Sequence, residues 1–424
     1  MLIPGCCASN RGVLAVRRSL VLSLLSMMCI AASFMPASAQ TYTTLHSFAN
    51  SPDGASPFGG LVADAKGNFY GTTQYGGTLY GGTVFELSPP AMVGGDWTET
   101  VIWNFAGGLT GNTPSYQLVM DAKGNLYGEV QSGGNPFCSC GGVFVLVPPK
   151  TSGGNWSERI IYAPASAGGN SGSDVFYGGL ILDASGAVYG TQFGGGTNSQ
   201  GLAFKIAPVA GGGFRETDLY NFGGASTDSM QPWGPLTLDA SGNLYGVSLL
   251  GGASGNGTAY KLTPPAGGSG AWNNTILYSF PGGSGGCQPE GNVILDKGGK
   301  VYGQTTACGG SANRGIIFRL TPPTGSGSWT ESVLHTFSST DGGGLYPSLA
   351  LNAKTNVFYG TSFYAGVVFE LKPPAGGSGR WIEEVLATTT FPLGPVVWDA
   401  NGTLYGTAYS GGSSASGTAF SIAP

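Results

Sequence analysis

In a chain of 424 residues with 77 Gly and only 9% charged side chains, solubility must come from Ser, Thr, Asn and backbone rather than a salt-bridged surface. Beyond the first 39 residues, 14 Lys and Arg stand against 22 Asp and Glu, a net charge of −8. With no basic stripe, nucleic acid and acidic membrane surfaces are excluded as partners.

Residues 1–39 read as a secretory signal peptide. Arg11, Arg17 and Arg18 precede the apolar run Leu20–Ile30, and Ala37-Ser38-Ala39 is a small-residue cleavage site. The run is too short for a membrane anchor. Arg17-Arg18 fits twin-arginine export poorly, because its flanks are wrong. With no apolar tail after residue 400, no C-terminal anchor and no membrane span after signal cleavage are expected. Residues 40–424 then form the mature chain, secreted to the extracellular space or the periplasm.

Within it, Asp-Ala-Lys-Gly-Asn-Phe-Tyr-Gly at Asp64–Gly71 returns six times. Its Tyr recurs at Tyr127, Tyr189, Tyr245, Tyr302, Tyr359 and Tyr405. A repeat of this length is one supersecondary unit. Each unit carries four short alternating runs bounded by Gly, Asn and Pro, which is the strand pattern. In the second unit they are Gln117–Asp121, Asn125–Val130, Gly142–Pro148 and Trp156–Tyr162. Asp-x-x-Gly-Asn joins the first two as a tight hairpin. The fold class is therefore all-β: a seven-bladed β-propeller with four antiparallel strands per blade. The innermost strand of the first blade falls at Gly60–Asp64 and the outermost at Trp97–Phe105. The C-terminus holds only three strands of the seventh blade, Val396–Asp399, Thr403–Ala408 and Thr418–Ala423. Thr41–Phe48 aligns with Thr98–Phe105, so the N-terminal strand is expected to complete the last blade and remove two open edges.

Four cysteines remain in the mature chain. Cys287 and Cys308 lie in two loops that an up-and-down sheet places on one face, so they are expected to form a disulfide in an oxidising compartment. Cys138-Ser-Cys140 has no companion His or Cys and is not a zinc site. A small strained ring, a redox pair or free thiols remain open there, with a structural disulfide favoured.

The phrase Gly-Leu-x-x-Asp-x-x-Gly-Asn-Leu-Tyr-Gly-Thr, followed by Gly-Gly and Gly-Thr-x-Phe-x-Leu-x-Pro, resembles the GloVer tandem repeat of secreted bacterial proteins. Gly60–Thr72 with Gly82–Pro89 and Pro235–Gly246 with Gly257–Pro264 are clear instances. The resemblance spans all seven units and implies a propeller. It brings no catalytic residue. Many relatives end in a sorting or anchoring segment, and none is expected here, because no apolar run follows residue 400. More distantly, the inner hairpin is similar to those of NHL-type and lactonase-type propellers.

The chemistry-bearing residues are sparse. The two histidines, His46 and His335, occupy the position held elsewhere by Trp103, Tyr162, Tyr220 and Tyr278. They read as packing residues of the outer strand, which sets aside His-based triads and His-ligated metals. Asp64, Asp121, Asp183, Asp239, Asp296, Asn352 and Asp399 recur at the hairpin turn, and Glu99, Glu158, Glu216, Glu331 and Glu383 recur two residues after an aromatic. Roles repeated in nearly every blade are structural. No cofactor or metal is expected; calcium at the Asp turns stays open, although the short turn alone offers too few oxygens. Glu129 and Glu290 break the pattern, but in blades too far apart for a glycosidase pair.

Two variable series on the constant scaffold mark one face. The entry to the inner strand reads Phe58, Ser115, Tyr177, Trp233, Glu290, Tyr346 and Leu393. The end of the second strand reads Tyr75, Ser132, Phe193, Leu250, Cys308, Tyr364 and Ser410. Phe58, Tyr75, Tyr177, Phe193, Trp233, Tyr346 and Tyr364 are candidate ligand-binding aromatics, with Glu290 as the polar anchor. The competing reading is that they cover blade tops. The expected function is a secreted, monomeric, non-catalytic binding module for a polysaccharide or other neutral cell-surface ligand. The alternatives are an extracellular hydrolase or lyase using Glu129, Glu290 or an unrecognised metal, and a structural envelope or matrix protein.

Overall fold

The repeated phrase builds its own turn. One oxygen of Asp64 accepts the backbone N–H groups of Lys66 (2.8 Å) and Asn68 (2.9 Å). The other accepts Asn68 Nδ2 (3.0 Å) and Tyr70 OH (3.4 Å). Gly67 takes φ +86° within the turn, a conformation that L side chains rarely adopt. The same Asp hub recurs at Asp121, Asp183, Asp239, Asp296 and Asp399. Asn352 replaces it in the sixth unit, accepting the Lys354 N–H. The Gly after each Tyr has a different reason. A Cβ on Gly71 would lie 2.5 Å from the ring of Phe85, its cross-strand partner. Gly190 stands in the same relation to Phe204. The bare glycine lets the third-strand ring lie against the sheet.

The computed structural model describes residues 40–424 apart from 93, 137–139, 152, 165–177, 269, 339–340, 344–348 and 378. Thr41–Ala423 is one compact unit. Seven antiparallel sheets follow one another in sequence. In the first, the inner position is held by Ala55–Pro57 with Val62–Ala63, followed outward by Phe69–Tyr75, Thr83–Ser88 and Thr98–Asn104. The seventh runs Val397–Trp398, Leu404–Ala408 and Thr418–Ala423, and Thr41–Ser47 closes it. The closing register runs from Thr41 opposite Ala423 to Ser47 opposite Thr418, as the strand alignment requires.

The core is distributed between blades. The large third-strand residues Phe85, Phe144, Phe204, Tyr260, Phe318, Phe369 and Phe420 are fully buried. Each outer strand that ends in Phe presses that ring onto the next blade: Phe48 on Phe85 (5.0 Å), Phe105 on Phe144 (5.1 Å) and Phe280 on Phe318 (4.9 Å). Such edge and tilted contacts are favoured by the ring quadrupole. Buried threonines clip the inner ends together. Thr72, Thr361 and Thr407 donate across the blade boundary to the carbonyls of Tyr116, Gly394 and Gly59.

Five inner strands are entered through a non-Gly residue with positive φ followed by Pro. These are Ser56-Pro57, Thr113-Pro114, Gln231-Pro232, Gln288-Pro289 and Phe391-Pro392. The left-handed conformation costs roughly 1–2 kcal/mol per residue. It is held by bonds to the preceding blade: Ser56 N–H to Ser416 O (2.7 Å), Gln231 N–H to Gln200 O (2.8 Å) and Gln288 N–H to Asn256 O (2.9 Å). The residue after the Pro is the variable entry residue. The fold therefore presents Phe58, Ser115, Trp233, Glu290 and Leu393 from a rigid bend.

Candidate functional site

Phe58, Trp233 and Glu290, delivered by those bends, converge with Tyr364 on one cavity of about 770 Å3. Leu393 and Tyr409 complete the apolar wall; Thr306 and Arg314 add polar groups. Below it, and sharing Phe58 and Leu393, lies an apolar cavity of about 640 Å3 lined by the inner strands of all seven blades. The upper cavity is thus the mouth of the central channel. Phe58 stands edge-on to Tyr116 (6.0 Å) and Tyr409 (6.3 Å), which links the two levels.

The two ionisable groups of the mouth differ in setting. Thr306 Oγ1 has two acceptors for its one proton, the Gln288 carbonyl at 3.0 Å and Glu290 Oε1 at 3.3 Å. Burial pushes the Glu290 carboxyl up to about 7, with the Thr306 bond pulling the other way. The Arg314 guanidinium lies 4.7 Å from the centroid of the Tyr364 ring, a cation–π contact that holds a fixed positive charge at the rim. Tyr364 itself is 63% exposed, so its outer face is open. The Cys287–Cys308 disulfide, with Cα atoms 5.3 Å apart, ties the entry segment before Glu290 to the end of the strand that carries Thr306. That bond fits an oxidising compartment. Cys140 is also disulfide-bonded, while Cys138 lies outside the described residues.

Other candidates fall elsewhere. Phe193 packs edge-on against Trp233 at 5.1 Å and supports it without lining the cavity. Tyr75 is 48% exposed and lines neither cavity. Tyr177 and Tyr346 lie outside the described residues. Glu129 is fully buried in the boundary between the second and third blades, where Oε2 accepts the Gly179 N–H at 3.1 Å. It is not among the residues that line the mouth, and it stands where Thr72, Thr361 and Thr407 clip other blades.

Arg314 was the site residue missed by comparing only aromatics and acids between repeats. Its aligned positions carry Gly81, Cys140, Gln200, Asn256 and Ser416, so a cation there breaks the pattern and was a readable signal. The histidines do pack as expected: His46 is edge-on to Phe48 (4.7 Å) and His335 to Phe337 (4.5 Å), as Tyr220 is to Phe222. The Asp turn carboxylates accept protein donors on both oxygens. Among the described residues no helix is long and apolar enough to cross a membrane.

Fold and site together define a seven-bladed β-propeller with an aromatic-walled channel mouth. The chain belongs to the Gloeobacter/Verrucomicrobia repeat family, whose model matches residues 33–170, 159–366 and 273–424. Among solved structures it is similar to a protein from Bacteroides uniformis provisionally described as a 6-phosphogluconolactonase. That likeness has 11% identity and TM-score 0.50, over 78% of this chain and 86% of that one. The periplasmic gluconolactonase of Pseudomonas aeruginosa gives 12% identity and TM-score 0.48 over 78% and 86%. The PQQ-bound aldose sugar dehydrogenase of Streptomyces coelicolor gives 12% and 0.43 over 92% and 99%. The first of these shows the fold alone. No curated protein matches the chain.

Proposed function

We propose that the protein is a secreted binding module whose channel mouth takes a neutral, stackable ligand of the polysaccharide type. The observation that carries this reading is the open collar of Phe58, Trp233, Tyr364 and Tyr409 around a single carboxyl and a single guanidinium. Flat aromatic faces suit the C–H faces of sugar rings. Glu290 and Arg314 supply one acceptor and one donor for hydroxyls, and few other charges stand nearby to require a charged ligand. The scaffold is rigid at the entry residues, so binding costs little reordering. A monomer in the extracellular space or the periplasm suffices for this role.

The test is a glycan and cell-wall polysaccharide array with the mature protein, followed by titration of the best hit into Trp233→Ala. Anchor aromatics commonly cost about 2 kcal/mol or more on truncation, so affinity should fall by roughly 30-fold or more. Trp233 is only partly buried, so its melting temperature should move little. A strongly destabilised mutant, or unchanged affinity, would contradict the binding mouth and favour a covering role for these rings.

One observation favours an extracellular hydrolase or lyase as the second reading. The Glu290 carboxyl titrates near neutrality within a cleft, which suits a general acid or base. If so, Glu290→Gln abolishes turnover of the array hit while retaining its binding. For a binding module the hit is never turned over, and Glu290→Gln weakens affinity only modestly.

A further inference from the structure

The outer rim contains two equivalent clusters. His46 of the closing strand, Asp53 of the loop behind it and Glu99 of the first blade's outer strand bring one donor atom each within 4.8 Å of one another. His335 of the fifth blade, Asp341 of its following loop and Glu383 of the sixth blade do the same. The chain has two histidines in all, and both arrive at the same rim position with the same two partners. His46 Nε2 lies 2.9 Å from Asp53 Oδ2, and His335 Nε2 lies 3.5 Å from Asp341 Oδ2.

We propose that these two clusters are divalent transition-metal sites, each stapling one blade to the next through an imidazole nitrogen and two carboxylates. Among the described residues, a third boundary with a loop Asp shows what a protein-only arrangement looks like. There Tyr220 stands in place of the His and Asn274 in place of the Glu. Tyr220 OH donates to Asp228 Oδ2 at 2.8 Å and Asn274 Nδ2 to Asp228 Oδ1 at 2.8 Å, closing the cluster with hydrogen bonds. In the first cluster His46 Nε2 bonds Asp53 Oδ2 but Glu99 Oε1 stays open, and the second cluster does not close at its imidazole at all. His335 is 4% exposed, yet neither ring nitrogen has a hydrogen-bond partner. Glu99 Oε1 and Glu383 Oε1 are buried and also lack one. The lone Glu oxygen recurs at Glu158, Glu216 and Glu331, where no His stands, so it does not by itself distinguish the sites. The bare, buried imidazole of His335 beside two carboxylates does, and His46 repeats its placement with the same two partner types.

Leaving such groups unpartnered costs about 1–3 kcal/mol each, more for charged ones. A metal ion relieves all three at once. The donor set favours Zn2+ or its first-row neighbours over Ca2+, which prefers six to eight oxygens. Three protein ligands leave a fourth position for water in a tetrahedral site. The first cluster spans the point where the N-terminal strand closes the ring, so metal binding there would lock the closure.

The experiment uses the tag-free mature protein, stripped with chelator and then titrated with Zn2+, with bound metal counted by elemental analysis after dialysis. The expected uptake is two ions per chain, one in His46→Ala or in His335→Ala, and none in the double variant. Zn2+ should raise the melting temperature of the wild type, and Ca2+ should not. Co2+ loading should produce a tetrahedral d–d band that halves in each single variant. If a His variant fails to fold, Asp53→Asn and Asp341→Asn remove a ligand while keeping shape and serve in its place. Uptake that is absent, or that persists unchanged in the double variant, overturns the proposal.

Discussion

Glu129 shows at residue scale how one substitution changes the chemistry of a blade boundary. Where four other blades place a threonine that donates to a carbonyl, Glu129 accepts a backbone N–H from Gly179 and leaves Oε1 without a hydrogen-bond partner. Complete burial pushes its carboxyl up to about 8, with the Gly179 bond pulling the other way. In the unfolded chain a Glu titrates near ~4.3. Between these values the unfolded chain releases a proton that the folded chain keeps. Glu129's contribution is therefore fully present below about pH 4 and is lost as pH rises through about 8, at no more than ~1.4 kcal/mol per pH unit. Glu129→Gln removes the titration and keeps the shape. Urea midpoints at about pH 5 and about pH 8 should fall further in the wild type than in the variant; equal falls would mean that Glu129 does not titrate in this window. The entry residues follow another logic. In five blades the strained residue and Pro before them fix the bend through the backbone, so the bend itself does not depend on the entry side chain.

At the scale of elements, each blade borrows stability from its neighbour. Outer-strand Phe rings fill the next sheet, and threonines clip the inner ends. The fifth blade adds the Cys287–Cys308 bond, closing a sequence separation of 21 residues around the wall that carries Glu290 and Thr306. Loop closure of this length is worth about 3 kcal/mol in the chain-entropy description. The double substitution of both cysteines by Ala should lower unfolding stability by roughly that amount. It should also weaken the mouth's ligand, because the entry bend then loses its tie to the second strand. Chemical denaturation and titration of the same variant check both effects. Unchanged affinity with lowered stability would confine the bond to a structural role.

At the scale of the whole molecule, Thr41–Ser47 lies against Thr418–Ala423 and gives the seventh blade its fourth, outermost strand, joining the two ends of the chain in one sheet. Deleting residues 40–48 removes that strand together with Phe48, whose ring fills the first blade against Phe85. Loss of a buried Phe alone costs about 3–5 kcal/mol, and the exposed edge invites association. The truncated chain should melt well below the mature protein and tend to aggregate. Calorimetry and light scattering would reveal this, and an unchanged melting curve would refute the closure as a stabilising element.

Much of this architecture is legible in the residues alone. The Asp-x-x-Gly-Asn-x-Tyr-Gly phrase encodes a turn, a hydrogen-bonded cap and a flat seat for a ring, all local interactions that act identically in every copy. Repetition of a local rule specifies strands, their phase, the blade number and the closing strand. It also placed the cysteines of one blade on a common face. The candidate site was legible only as a face. Which entry residues meet depends on ring geometry: Phe58, Trp233 and Glu290 come from the first, fourth and fifth blades and share one cavity, while Tyr75 does not reach it. The same holds at the rim. Aligning the repeats shows His46 and His335 in an aromatic's place, but not the loop Asp and the next blade's Glu brought beside them. Those neighbours are distant in sequence or sit in loops of unequal length. Local chemistry written in the sequence determined the blades; contacts across blade boundaries, which only the closed ring creates, decided which side chains share a site.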